Sequence, residues 1–212
     1  MQDTGSAMND HSGGYERWET FFQDRQEMWG WQPAPSAQRA HDVFLSKNVK
    51  SVLIPGIGYG RNAQVFVDSG MDVTGIEISS TAIDIAQKHF GNRLTMYLGS
   101  VSDMPYDDKT YDGIFCYALI HLLDTDERKK LIQDCYHQLN DGGTMIFVAI
   151  TKDAPTYGKG QKVGEDRYEL HEGIKMYFYD LDSVEREFDA FGLQSVELIT
   201  EQFPFYFITC TK

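Results

Sequence analysis

Apolar positions along the chain fall into short dense runs, separated by polar stretches with helical spacing. Val52-Leu53-Ile54 predicts a strand. Residues 61–68 read as a helix stopped by Ser69-Gly70, and 72–78 as a second strand. Ser79 or Ser80 caps a helix through Phe90, which Gly91-Asn92 ends. Residues 94–98 predict a short strand. Residues 111–117 predict another, apolar almost throughout, as suits a strand buried on both faces. Asp124 and Glu127 form a capping box for a helix to about Leu139. Asp141-Gly142-Gly143 then turns into a strand over 144–150. Strands alternating with helices imply a parallel, doubly wound sheet with right-handed crossovers.

The two ends depart from this rhythm. Tyr15, Trp18, Phe21 and Phe22 lie near helical spacing within 15–27. Prolines and a glycine make 28–35 a loop, and Ser36 caps a short helix to about Leu45. Residues 152–180 are polar and glycine-containing, too long for a plain connection, and read as a lid-like insertion. A helix over 181–191 ends at Gly192. The last two strands, 193–200 and 205–211, stand about four residues apart. That gap is too short for a crossover helix, so they pair as an antiparallel hairpin. The predicted organisation is a disordered polar tail over 1–14 and one domain over 15–212, with 15–50 as a helical cap.

Composition narrows the partners. A chain of 212 residues with 42% hydrophobic content fits one large soluble domain. Its net charge of −13 argues against nucleic acid and anionic membranes. The densest basic cluster, Arg128-Lys129-Lys130, follows acids and reads as a solvated helix face. Cys116, Cys135 and Cys210 are odd in number and far apart, the pattern of free thiols in a reducing cytoplasm. No spacing suggests a metal site, no apolar run reaches the ~20 residues of a membrane span, and the N-terminus lacks a signal core.

The chemistry concentrates at Gly56-Ile57-Gly58-Tyr59-Gly60, which follows a strand and opens a helix. Glycines there let backbone approach a ligand, although a tight turn alone would also use them. Seventeen residues on, Glu77 ends the next strand, where a carboxylate accepts hydrogen bonds from a ribose diol. Arg61 occupies the position where dinucleotide enzymes favour a third close-packing glycine, which disfavours a dinucleotide.

Four segments in order resemble the class I S-adenosylmethionine-dependent methyltransferases. They are Val52-Leu53-Ile54-Pro55-Gly56-Ile57-Gly58-Tyr59-Gly60-Arg61-Asn62, Gly75-Ile76-Glu77-Ile78-Ser79, the acidic stretch from Asp103 to Asp112, and Leu139-Asn140-Asp141-Gly142-Gly143-Thr144. Ile54-Pro55 is similar to the thiopurine and halide/thiol branch. Gly60-Arg61-Asn62 and the Thr151-Lys152-Asp153 segment look more like the tellurite-resistance branch. The resemblance implies a Rossmann-like doubly wound seven-stranded sheet, mostly parallel, with the last strand antiparallel in a C-terminal hairpin. It implies S-adenosyl-L-methionine as cofactor, S-adenosyl-L-homocysteine as product and a small-molecule acceptor.

By position, Gly56, Gly58 and Gly60 would line the methionine moiety. Glu77 would hold the ribose, Ile78 would pack on adenine, and Ser100 and Val101 would meet the adenine edge. The Cys116 carbonyl would take the methionine amine. Arg61 would pair with the methionine carboxylate or stand solvated, and Trp29 (with Trp31) would fold over the sulfonium or simply pack the N-terminal helix. His121 and Tyr117 fall where the transferred methyl is faced, as base or orienter, though most lone histidines are structural. Tyr157, His171, Tyr177 and Tyr179 could line an aromatic pocket under the lid. Two departures stand out: Ile54 replaces the usual acid before the loop, and Ser100 a common aspartate. They keep a non-catalytic cofactor-binding protein open, with a nicotinamide-dependent oxidoreductase more distant.

Overall fold

The computed structural model describes residues 11–212. Ten of the fourteen residues assigned to a disordered tail therefore lie outside the described residues, and the first helix, α1 (His11–Arg25), begins at the eleventh. The chain continues through α2 (Pro35–Ser46), β1 (Ser51–Pro55), α3 (Gln64–Asp68), β2 (Asp72–Glu77), α4 (Ser80–Phe90), β3 (Leu94–Leu98), β4 (Tyr111–Tyr117), α5 (Thr125–His137) and β5 (Leu139–Ile150). Three short strands follow, β6 (Gln161–Gly164), β7 (Arg167–Glu169) and β8 (Lys175–Tyr177). Then come α6 (Leu181–Phe188), β9 (Leu193–Thr200) and β10 (Pro204–Thr211).

The main sheet runs β3-β2-β1-β4-β5-β10-β9. Strands β1 to β5 pair in parallel, and β10 is antiparallel to both β5 and β9. The expected seven-stranded, Rossmann-like architecture with its inserted last strand is what forms. Alternation along each central strand splits the core in two. Val52, Ile54, Phe115, Ile146 and Val148 join Phe44 and Phe66 on one face. Leu53, Ile114, Cys116, Met145 and Phe147 join Leu131 and Phe188 on the other. Such two-sided burial is why these strands read as unbroken apolar runs.

Helix ends follow local chemistry. The Ser79 hydroxyl accepts the Ala82 N–H at 3.1 Å. Asp124 and Glu127 make the expected capping box on α5, and Gly192 closes the turn after α6 with a left-handed backbone. Two expectations shift. Ala34, not Ser36, is the N-cap of α2. The helix over 61–68 shortens to α3, because the glycine loop carries its turns through Ala63. The insertion between β5 and α6 holds a second, antiparallel sheet, β6-β7-β8. It leaves and returns at the end of β5, where Lys152 N–H donates to the Tyr179 carbonyl.

Candidate functional site

Strand order reverses between β1 and β4, so the crevice outside their carboxyl ends is where an open parallel sheet holds ligands. A cavity of about 860 Å³ opens there. The glycine loop, the end of β2, the turn after β4 and the β9–β10 turn wall it. Arg17, Trp18 and Phe22 of α1 contribute from above, with Ile174, Lys175 and Met176 of the insertion.

All three loop glycines have positive φ, from +59° to +87°, so each needs the freedom glycine has. Their surroundings differ. A Cβ on Gly56 would strike Leu119, and one on Gly60 would come within 2.5 Å of the Phe90 ring. A Cβ on Gly58 would meet nothing closer than Phe22 Cζ at 3.7 Å, because Gly58 faces the cavity. Gly60 does not line the cavity; it is needed for packing on α4.

Glu77 closes the loop from beneath. One carboxylate oxygen accepts the Gly58 N–H at 2.8 Å and the other the Ser79 N–H at 3.0 Å. Burial pushes its carboxyl up, against the pull of backbone N–H groups at Ser79, Gly58 and Ile78. Ile78, Ser100 and Val101 continue this wall. The Ser100 hydroxyl accepts the Ser102 N–H at 3.1 Å and its carbonyl accepts the Tyr106 hydroxyl at 2.8 Å, so Ser100 chiefly shapes the turn. Glu19 of α1 caps α4 by accepting from Ser79 Oγ, Ser80 Oγ, Thr81 N–H and Thr81 Oγ1. These donors outweigh the effect of burial and hold its carboxyl down at about 2. They also dock α1, with Trp18 and Phe22, over the cavity.

Trp29 lies on the rim, stacked on Tyr59 with ring centroids 6.1 Å apart. The Tyr59 hydroxyl donates to the Gly30 carbonyl and accepts the Trp29 N–H. Arg61 reaches the Trp29 carbonyl at 3.4 Å and stands 5.9 Å from the Tyr117 ring. Trp31 instead stacks on His89 and does not line the cavity.

The opposite end is walled by Tyr117, His121, Phe203 and Phe205. Tyr117 donates its hydroxyl to Glu201 Oε2 at 3.0 Å; burial and the adjacent carboxylate push the phenol up to about 12. The other oxygen of Glu201 accepts the Ser36 N–H at 2.6 Å. His121 is 3% exposed, and its Nδ1 accepts the Ile150 N–H at 3.3 Å. Burial drives its pKa down to about 3. The ring is therefore neutral with its proton on Nε2, a donor and not a base.

Ten of the twelve expected site residues thus border one cavity. Cys116 does not: it is fully buried in β4, and Tyr117, Ala118 and Leu119 form the wall where its carbonyl was expected. Nor does the insertion bring Tyr157, His171, Tyr177 or Tyr179 to the cavity. Tyr157 packs on Tyr168 and Phe178. Tyr177 and Tyr179 surround a buried ion pair between Arg128 and Glu187 at 3.0 Å. Arg128 is accordingly a core residue, not part of a solvated basic face. Sequence reasoning missed Glu201, Phe203 and Phe205 from the hairpin, and Glu19 from α1.

The chain is similar to known methyltransferases in sequence and in fold. Residues 52–143 match the family described as "Methyltransferase domain". The O-methyltransferase resE of Aspergillus sclerotiorum is 28% identical over 143 residues, 59% of this chain and 53% of that protein. The ubiquinone biosynthesis O-methyltransferase of Coxiella burnetii is 24% identical over 149 residues, 64% of this chain and 62% of that protein. The chain thus aligns with little more than half the length of these relatives. Among solved structures, the Burkholderia thailandensis 1,6-didemethyltoxoflavin-N1-methyltransferase, holding 1,6-didemethyltoxoflavin and S-adenosylhomocysteine, superposes with a TM-score of 0.74. It is 16% identical, over 100% of this chain and 93% of that one.

Proposed function

We propose that this protein, whose residues 52–143 match the methyltransferase domain family, transfers a methyl group from S-adenosyl-L-methionine to a small-molecule acceptor, releasing S-adenosyl-L-homocysteine. The observation that carries this is one cavity whose two ends have different chemistry. One end joins the Gly56–Gly58 backbone, Glu77, Ile78 and Val101; the other joins Tyr117, His121, Phe203 and Phe205. The first end fits a nucleoside with an amino-acid tail. The space beside Gly58 is open, Glu77 is placed for a diol, Ile78 and Val101 offer apolar surface to a base, and Arg61 offers a cation to a carboxylate. Bound there, the cofactor would supply a methyl activated on a sulfonium. The protein's own task is alignment for in-line displacement and exclusion of water. Trp18, Phe22 and Trp29 do the second by covering the loop.

A net charge of −13 suits a small acceptor better than a nucleic acid. Among the described residues no helix is long and apolar enough to cross a membrane. Three buried free thiols suit a reducing cytoplasm. Calorimetric titration with S-adenosylhomocysteine tests the reading. Binding at micromolar ligand is expected; no heat at millimolar ligand would sink it.

A further inference from the structure

Deprotonation of the acceptor falls to a group that neither sequence motif nor the expected pair, His121 and Tyr117, supplies. His121 presents Nε2–H, since its Nδ1 lone pair is taken by the Ile150 N–H. Tyr117 spends its proton on Glu201. Among the described residues, four carboxylates border the cavity: Glu77, Asp124, Glu127 and Glu201. Glu77 stands at the glycine-loop end, where the cofactor is expected and not the acceptor. Asp124 and Glu127 are locked in the α5 capping box, and Glu127 also accepts from Ser102 on the side of Ser100. Glu201 is the carboxylate at the other end. It sits at the β9–β10 turn, with each oxygen accepting one hydrogen bond, from Ser36 N–H and from Tyr117. A carboxylate has about four lone-pair sites, so two remain for a ligand.

We infer that Glu201 is the catalytic base and that the acceptor is an apolar, planar molecule carrying a hydroxyl. Phe203, Phe205 and Met176 line the same cavity as Glu201 and suit such a ring. The inference rests on the methyl-transfer reading. In the step, the hydroxyl O–H bond breaks and its proton passes to Glu201. The acceptor oxygen forms the new bond to carbon, the carbon–sulfur bond breaks, and its electron pair stays on sulfur as a neutral thioether. His121 Nε2–H, on the same wall, is available to orient the acceptor oxygen. A thiol acceptor, already partly ionised at neutral pH, would have little use for this carboxylate.

The test uses the full chain, radiolabelled S-adenosylmethionine, and the matched acceptors naphthol and naphthalenethiol, with catechol as a second hydroxyl probe. Calorimetry with S-adenosylhomocysteine is run first on wild type and on Glu201→Gln. The amide retains an acceptor for Ser36 N–H and a polar partner for Tyr117, so folding and cofactor affinity should be unchanged. Methylation of naphthol or catechol is expected, with kcat lowered about 10²–10⁴-fold in Glu201→Gln. The inference is overturned if S-adenosylhomocysteine binds but neither hydroxyl acceptor is methylated. It is equally overturned if the thiol is the preferred acceptor, or if Tyr117→Phe loses turnover while Glu201→Gln keeps it. Failure of S-adenosylhomocysteine to bind the wild type would instead remove the methyl-transfer reading beneath it.

Discussion

Single residues in the glycine loop do different work under one motif. Gly58 has φ +59° and open space ahead of it; Gly60 has φ +87° and the Phe90 ring in its way. Gly58→Leu should therefore fold, losing about 1–2 kcal/mol to the left-handed backbone, yet fail to bind S-adenosylhomocysteine because its side chain fills the cavity. Gly60→Ala should cost about 1–3 kcal/mol through overpacking and bind in proportion to its folded fraction. Urea unfolding and calorimetry on both variants separate the two roles; equal binding loss in folded protein would show that Gly60 also meets the ligand. His121 makes a second prediction at this scale. Its folded pKa, about 3, lies below the ordinary histidine value of about 6.5, so the unfolded chain binds the extra proton first. The stabilisation from keeping the ring neutral is complete above about 6.5 and drains away as pH falls toward 3, by an amount of order a few kcal/mol. Denaturant midpoints between these limits should fall less steeply in His121→Gln than in wild type. Ring titration by NMR should show no protonation near neutrality.

At the scale of elements, the buried pair of Arg128 and Glu187 ties α5 to α6. Arg128 also covers the Tyr177 ring at 3.8 Å and donates to the Leu123 carbonyl at 3.3 Å, while Tyr179 donates to Glu187 at 2.8 Å. Removing one member strands a buried charge, so Arg128→Met should cost about 3–5 kcal/mol. Adding Glu187→Leu should restore part of that loss. If chemical denaturation gives strictly additive costs, the two charges do not act as a pair. This pair was not legible in the sequence, where Arg128 looks like one of three basic residues after an acidic cap. Its partner is 59 residues away, and only the packing of α6 on α5 brings it near. Legibility followed the range of the interaction. The caps at Ser79 and Asp124, the strand runs and the hairpin are local and were readable, whereas Glu19 and Glu201 act across 60 and 84 residues. A signal for Glu201 did exist. An antiparallel last strand beside β5, with Phe205 opposite Ile150, must begin at the carboxyl edge of the sheet. Its turn therefore arrives at the cavity mouth.

The whole molecule closes its cavity with pieces from both ends of the chain: α1 through Glu19, and the β9–β10 turn through Glu201. A ligand that contacts the glycine loop, α1 and the β4 turn together stabilises all of them only when the chain is folded. At a concentration 100 times its dissociation constant, S-adenosylhomocysteine should add about 2.7 kcal/mol to stability. For a chain of this length that corresponds to a rise in Tm of roughly 5–10 °C. The same ligand should slow proteolysis between α1 and α2, since that segment carries Trp29 over the loop. A reduced nicotinamide dinucleotide should do neither, because Arg61 stands where a dinucleotide loop needs its third, close-packing glycine. Thermal melts and limited proteolysis with each ligand decide the matter: a shift from the dinucleotide alone would reverse the assignment of the loop. A shift from S-adenosylhomocysteine without protection of that segment would mean that α1 is a fixed wall, already closed before the ligand arrives.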